Sequence, residues 1–306
     1  MISAFFSKTK PINYAVLLSL NLFVFFGTFF YLNEFEVTQQ QIWSGIGVAV
    51  ALVMVLILLS YTVKARQLTA NNSYGLFFFS LLMLLFFQAE NDDTLVFCCF
   101  FVLLSLDRAL AMKTERLEKE KVFESALWIF VASLFLNWAL LFLIPLYITV
   151  ATFHGRRFRI WLLPLASCFC VLVLYGTFIL WFDQNKTMME LYYFEVPKAW
   201  PEIDLFVLTY LALSAVLVLL VFGKLGFRKH GRVLSLRLIL VYLLVGWALV
   251  PLCGERGQNI LMFTFFPTAI FLTNYIQTLK KYRWKEAFIV GSLLISILGF
   301  VLGRMQ

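Results

Sequence analysis

Residues 42–63 read IWSGIGVAVALVMVLILLSYTV, a stretch that contains no charged side chain. A helix of about 20 apolar residues crosses the roughly 30 Å hydrocarbon layer of a bilayer, because each residue advances the helix by about 1.5 Å. The whole 306-residue chain is 62% hydrophobic and only 14% charged, whereas soluble domains contain about 25% charged residues. The sequence therefore predicts an all-α, polytopic transmembrane helical bundle.

Similar apolar stretches lie on both sides of this helix along the chain. Residues 12–32 run directly into Asn33 and Glu34 without a small-residue cleavage site, which indicates a membrane span instead of a cleaved signal peptide. The other predicted spans of ordinary form are 74–88, 94–106, 160–182, 205–222, 233–252, 259–278 and 286–303.

Residues 123–153 would extend about 46 Å as one helix, which is too long for a single span. Lysine and arginine residues lie on both sides of this stretch, so both flanks favour the cytoplasm. A hairpin of two short helices that turns at Asn137 and Trp138 satisfies both flanks and brings the prediction to about eleven spans. Residues 107–122 contain opposite charges at i,i+4 spacing and predict a helical extension of the span at 94–106.

Most of the 25 Lys and Arg residues fall on one side of this arrangement, and most of the 17 Asp and Glu residues fall on the other. Because cytoplasmic loops are enriched in Lys and Arg, we expect the cytoplasmic (inner) membrane, with the N-terminus in the cytoplasm. The net charge of +8 then reflects topology, and we expect no nucleic-acid partner. Residues 1–306 are predicted to form a single integral membrane domain in contact with membrane lipid.

The predicted spans contain almost no ionisable groups, and signature motifs of serine hydrolases, zinc proteases and P-loop proteins are missing. The candidates for chemistry are therefore the acids of the outer loops. Grouped carboxylates supply a general base or oxygen ligands for Mg²⁺ or Mn²⁺, and an arginine can bind phosphate. Topology alone also explains these acids, because outer loops are depleted of Lys and Arg and must still be polar. The candidate catalytic residues are Glu34, Glu36, Glu90, Asp92 and Asp93, with Glu90, Asp92 and Asp93 also as metal ligands and Arg256 as a substrate ligand.

The segment 183–204 is a second outer feature, in which aromatic residues are mixed with acids and two prolines. Such a composition is typical of a strip that lies in the membrane interface. We expect Tyr192, Tyr193 and Trp200 to contact a lipid substrate.

Parts of the sequence resemble known families. From Leu68 the chain reads LTANNSYGLFFFSLLMLLFFQAENDDTLVFCCFFVLLSLDRALAMK, and after a charged stretch FESALWIFVASLFLNWALLFLIPLYITVATFHGRRFRIWLLPLASCF. This succession resembles the central part of GT-C glycosyltransferases that use polyprenyl-phosphate-linked sugars. The opening MISAFFSKTKPIN and the late FFPTAIFLTNYIQ resemble a multi-pass inner-membrane family of Bacteroidota, a domain of unknown function.

The GT-C resemblance implies roles for the outer acids. Glu34 or Glu36 would be the counterpart of the acid that serves as base in that family. Glu90, Asp92 or Asp93 would match its second outer acid.

The same resemblance implies a GT-C-like part at about residues 1–182 and additional C-terminal helices at 205–303. The sequence departs from the family pattern in three respects. Its first outer loop is short, the predicted turn at Asn137 and Trp138 lacks the common lysine, and the sequence contains no large soluble domain.

Two hypotheses from different classes follow. In the first, the protein is an enzyme that transfers a sugar from a polyprenyl phosphate carrier at the outer face of the membrane. In the second, it is a non-catalytic membrane subunit that scaffolds an envelope-assembly or secretion complex through membrane protein partners. A transporter or flippase is the weakest alternative, since the predicted spans lack buried charges.

The orientation can be tested with thiol reagents that do not cross membranes. Cysteines introduced at Gln40 and Asn185 should react in intact cells, because both positions are predicted to face outward. Cysteines at Thr114 and His230 should react only after the membrane is opened. Reaction of the Thr114 variant in intact cells would overturn the predicted orientation.

Overall fold

The structure is a computed structural model that describes residues 2–32, 37–86, 93–113, 118–155, 158–181, 204–225, 230–253 and 259–302. Within these ranges the regular elements are helices. They are α1 (Ile2–Phe6), α2 (Pro11–Leu32), α3 (Gln39–Ala65), α4 (Tyr74–Phe86), α5 (Asp93–Ala111), α6 (Glu118–Ser133), a 3-10 helix (Asn137–Phe142), α7 (Leu143–His154), α8 (Phe158–Trp161), α9 (Leu163–Trp181), α10 (Leu205–Leu225), α11 (His230–Leu252), α12 (Met262–Thr278) and α13 (Tyr282–Leu302).

In the described part of the chain, eight helical segments are long and apolar enough to cross a membrane. The prediction of an all-α, polytopic membrane protein is therefore confirmed. Three of the predicted spans correspond to shorter elements, namely α4, α6 and the 3-10 helix together with α7.

Helix α3 carries exposed aromatic side chains near both of its ends. Trp43 is 67% exposed and Tyr61 is 56% exposed. The two residues are about 27 Å apart along the helix, which is close to the thickness of the hydrocarbon layer. Because Trp and Tyr favour the membrane interfaces, this spacing suits a helix that crosses the bilayer.

The chain folds into two compact units. Unit 1 is formed by residues 1–93 and 201–306, and unit 2 is formed by residues 94–200. These boundaries differ from the one between 182 and 205 that the GT-C resemblance implies.

Lysine residues mark one end of unit 1, which we call the basic end. Lys64, near the end of α3, lies over the Tyr14 ring near the start of α2, with its Nζ 4.6 Å from the ring centroid. Lys224, near the end of α10, lies over the Tyr275 ring near the end of α12, at 4.7 Å. These contacts place the start of α2 beside the end of α3, and the end of α10 beside the end of α12.

A loop that includes Leu68 connects the end of α3 to the start of α4 and contacts the neighbouring helices. The Asn274 side chain on α12 donates to the Leu68 carbonyl at 3.3 Å, and the Ala70 amide donates to the Gln277 side chain at 3.3 Å. On the other side of the loop, the Ser73 amide donates to the Phe6 carbonyl at 3.0 Å. The start of α4 therefore also lies at the basic end.

The opposite end of unit 1, which we call the far end, contains the other helix ends. Phe29, near the end of α2, lies against Gly45, near the start of α3. Phe86, the last residue of α4, packs against Phe206 near the start of α10 and Phe265 near the start of α12.

Two glycines of unit 1 fix the direction of the remaining helices. Gly246, near the end of α11, lies against Thr264, near the start of α12. Gly299, near the end of α13, lies against Leu85, near the end of α4. Helices α2, α4, α11 and α13 thus run from the basic end to the far end, and α3, α10 and α12 run back.

Helix α4 is the centre of unit 1, since it packs on α2, α3, α12 and α13. Almost all of its side chains are buried, including Phe77, Phe78 and Phe79. The 13 described residues of α4 span about 20 Å.

In unit 2, the hairpin geometry predicted for residues 123–153 is confirmed. Helix α6 ends at Ser133, and the chain returns along it as the 3-10 helix and α7. The predicted turn position needs a small correction. Asn137 and Trp138 are the first residues of the 3-10 helix, so the turn lies just before them.

Both ends of this hairpin lie beside the start of α9. The Ser167 hydroxyl on α9 donates to the Phe123 carbonyl at 2.9 Å, and the Trp161 indole N–H donates to the Gly155 carbonyl at 3.1 Å. The two flanks of the hairpin therefore share one side of unit 2, as the charge pattern requires.

The prediction of a single helical extension over residues 107–122 is wrong. Helix α5 ends at Ala111, and the next helix begins at Glu118. The two halves of the segment therefore belong to different helices.

The contact between α11 and α12 can be tested with a methyl group. A Cβ atom added at Gly246 would lie 2.8 Å from the Thr264 Cγ2 atom, and the β-branched Thr264 cannot easily move away. We expect Gly246→Ala to destabilise the protein by about 1–3 kcal/mol, measured by unfolding in detergent micelles. The matched control is Gly223→Ala, which meets nothing within 4 Å. Equal stability of the two variants would contradict the close packing.

Candidate functional site

Most of the predicted site residues lie outside the described residues. Asp93 is the first residue of α5, and only its backbone is described. The others are Glu34, Glu36, Glu90, Asp92, Tyr192, Tyr193, Trp200 and Arg256.

The helices that lead into the acid-bearing connections end together at the far end of unit 1. Helix α2 ends at Leu32, α4 ends at Phe86 and α11 ends at Leu252, and all three run toward the far end. The starts of three connections that are distant in sequence therefore lie at one end of unit 1. From the sequence alone, the direction of these helices could be inferred only from charge. In sequence, these connections contain Glu34, Glu36, Glu90, Asp92 and Arg256.

One hydrogen bond sets the level of α4 relative to α2. The Asn21 side chain on α2 donates to the Ser80 hydroxyl on α4 at 2.8 Å, so these two residues lie at the same level. From this level, Tyr31 lies about 15 Å farther along α2 and Phe86 lies about 9 Å farther along α4.

A group of three hydroxyls lies next to the end of α4. The Tyr210 hydroxyl on α10 lies 2.8 Å from the Thr264 hydroxyl and 3.1 Å from the Thr268 hydroxyl on α12. All three residues are buried, and the Tyr210 and Phe86 rings are 4.8 Å apart between centroids. We call Tyr210, Thr264 and Thr268 the hydroxyl cluster.

The sequence of α12 places the two threonines of the hydroxyl cluster on one face. Thr264 and Thr268 are four residues apart, and side chains at this spacing lie one above the other on a helix. The Thr264 hydroxyl also donates to the Leu261 carbonyl at 2.6 Å, which commits its proton. The cluster therefore links α10 to α12 through hydrogen bonds between neutral side chains.

The described residues contain no group of three or more His, Cys, Asp and Glu side chains that could hold a metal ion. Glu90 and Asp92, two of the three predicted metal ligands, lie outside this description, as does the side chain of Asp93. The Mg²⁺ or Mn²⁺ site therefore stays a prediction.

Unit 2 contains a charged group that the sequence did not single out. The Arg108 Nε and the Lys121 Nζ lie 3.3 Å and 3.2 Å from one Glu124 carboxylate oxygen. Asp107, next to Arg108 on α5, is almost fully buried. Below these charges, the Ser105 and Ser125 hydroxyls lie 2.9 Å apart.

This charged group ties the end of α5 to the start of α6. The i,i+3 spacing of Lys121 and Glu124 was visible in the sequence, but their pairing with α5 depends on the turn between the two helices. Pairing lowers the cost of placing such charges close to lipid.

A model of a family of unknown function matches residues 7–306. The chain belongs to the family of unknown function DUF6427. No curated protein and no solved structure matches the chain. Membership in DUF6427 agrees with the expectation of an uncharacterised family, and it assigns no activity.

The hydroxyl cluster makes a measurable contribution to the packing of unit 1. We expect Tyr210→Phe to lower the stability in detergent by about 0.5–1.5 kcal/mol, because two buried threonine hydroxyls lose a partner. The control is Tyr61→Phe, which removes a hydroxyl from an exposed ring on α3. If both variants unfold at the same temperature as the wild type, the cluster does not hold α10 to α12.

Proposed function

We propose that this DUF6427 protein is a GT-C-like transferase that moves a sugar from a polyprenyl phosphate carrier at the far end of unit 1. The observation that carries the proposal is the common direction of α2, α4 and α11. Three acid- or arginine-bearing connections, far apart in sequence, follow helices that end together.

The chemistry needs a base and a group that accepts phosphate charge. Glu34 or Glu36 would take the proton of the acceptor hydroxyl, whose oxygen then attacks the sugar carbon bonded to phosphate. The bond between that carbon and the phosphate oxygen breaks, and the polyprenyl phosphate leaves. Arg256, or a Mg²⁺ or Mn²⁺ ion held by Glu90, Asp92 and Asp93, would stabilise the charge on the leaving phosphate.

The packing of Phe86 supports this proposal. Phe86, which precedes the connection that contains Glu90 and Asp92 in sequence, packs against Tyr210 of the hydroxyl cluster. This packing fixes the position from which α4 leads toward the acids.

We also propose the orientation of the protein in the cytoplasmic membrane. The basic end of unit 1 would face the cytoplasm, together with the N-terminus, and the far end would face outward. Support comes from Lys64 and Lys224, which lie at the same end of unit 1 as the start of α2.

One observation favours a non-catalytic membrane subunit as the second candidate. Helix α2 ends at Leu32 and α3 begins at Gln39, so the first connection is much shorter than the corresponding loop of the GT-C family. A subunit of this kind would act by binding membrane proteins of an envelope-assembly or secretion complex, and its outer acids would be dispensable.

Single amide substitutions distinguish the two candidates. Glu34→Gln, Glu36→Gln, Glu90→Gln, Asp92→Asn and Asp93→Asn keep size and polarity, so insertion should not change. We expect at least one variant, at normal protein level, to fail to restore function to a deletion strain. The same variant should fail to release polyprenyl phosphate from a polyprenyl-phosphate-linked sugar in membranes.

The matched control is Glu120→Gln, which removes an acid from the first turn of α6. If all five variants behave like this control, the transferase proposal is rejected in favour of the subunit.

A further inference from the structure

A small cleft opens in the side of unit 1 between α2, α3 and α4. Its wall is apolar, with Phe25 from α2, Leu52 from α3 and Met83 from α4, and its polar lining comes from Asn21 and Ser80. The neighbouring Leu20, at its rim, is exposed on the lipid-facing side of α2. The cleft is therefore an apolar recess with one polar pair.

The hydrogen bonds of this pair are incomplete among the described residues. The Asn21 Nδ2 group donates to the Leu17 carbonyl at 2.7 Å and to the Ser80 hydroxyl at 2.8 Å, which uses both of its N–H bonds. The Asn21 Oδ1 atom accepts no hydrogen bond from any described residue. The Ser80 hydroxyl accepts from Asn21, but its own proton reaches no acceptor in the described part of the chain. One acceptor and one donor thus remain unused.

The depth of the cleft makes these unused groups costly. Asn21 lies about 15 Å along α2 from Tyr31, so the pair lies near the middle of the hydrocarbon layer. No bulk water is present at that depth, and each unsatisfied polar group costs several kcal/mol. Ser80 is only 1% exposed and has no alternative route to solvent.

The size of the cleft limits which group can form the missing hydrogen bonds of Asn21 and Ser80. Its cavity volume of about 10 Å³ is close to the smallest space that holds one water molecule. A hydroxyl group fits this volume and supplies both missing functions, because it can donate to Asn21 Oδ1 and accept from the Ser80 hydroxyl.

We propose that the cleft between α2, α3 and α4 is a membrane-embedded binding site for a single hydroxyl group. The hydroxyl belongs either to a water molecule or to an alcohol dissolved in the bilayer. Its hydrogen bonds link α2 to the central helix α4. The site is independent of the proposed transferase activity, because it uses none of the acids of the far end.

Solid-state NMR on the full chain in lipid bilayers tests the site directly. In asparagine-labelled protein, magnetisation from water should reach the Asn21 side-chain amide. The Asn274 amide is a matched reference, because its hydrogen bonds to Leu68 and Ile270 also place it in the buried part of unit 1. Addition of ¹³C-labelled 1-dodecanol identifies the source. If alcohol is preferred, the water signal at Asn21 should fall and a contact from the labelled carbon bearing the hydroxyl should appear.

Two variants distinguish binding at this cleft from general hydration of the protein interior. Ser80→Ala removes one partner of the bound hydroxyl and should reduce the transfer to Asn21 severalfold. Ser214→Ala removes another buried hydroxyl of unit 1, which donates only within its own helix, and should leave the transfer unchanged. If neither water nor alcohol contacts Asn21 in the wild type, or if the two variants behave alike, the proposal is overturned.

Discussion

Every backbone amide and carbonyl in the hydrocarbon layer must find a partner within the protein, because lipid offers none and each unpaired group costs several kcal/mol. Helices satisfy this requirement segment by segment, which explains why the regular elements of the described residues are helical. The difficult positions are the helix ends that fall below the membrane surface, where four carbonyls or four amides lack helical partners. Helix ends that are buried within the protein need partners too, and the buried start of α4 is one of them.

The basic end of unit 1 solves this problem with side chains from distant parts of the sequence. The side chains of Asn274 and Gln277 on α12 bind the backbone of the loop before α4, and the Ser73 side chain donates to the Lys8 carbonyl at 3.2 Å. A polar side chain and a backbone group each cost free energy when they face lipid without a hydrogen-bond partner. Here they become each other's partners. The polar residues of α12 have the same role at the far end of unit 1, where a buried threonine of α12 binds a tyrosine of α10.

This arrangement has consequences for function. Helices α2, α4 and α11 run to the same end of unit 1, and the sequence that follows them contains acids and an arginine. These are the groups that the proposed sugar transfer requires. Such a site would suit a lipid-linked substrate, whose phosphate lies at the interface and whose tail lies in the bilayer.

The sequence by itself determined the fold class, because runs such as residues 42–63 have one stable conformation in lipid. It also determined the hairpin at 123–153, since two basic flanks cannot be separated by one crossing. The spacing of charges along the chain does not show where a helix ends. For this reason the sequence predicts one helix over 107–122, whereas the chain has a break there between α5 and α6.

Only the tertiary structure decided which polar side chains meet. The contacts between Asn21 and Ser80, and between Tyr210 and Thr264, join residues more than fifty positions apart, and helical periodicity carries no information about them. The pairing of Glu124 with Arg108 likewise depends on how α5 and α6 pack. Hydrophobic length and charge act along the chain and are readable from it, whereas hydrogen bonds between helices depend on rotation and depth, which only packing fixes.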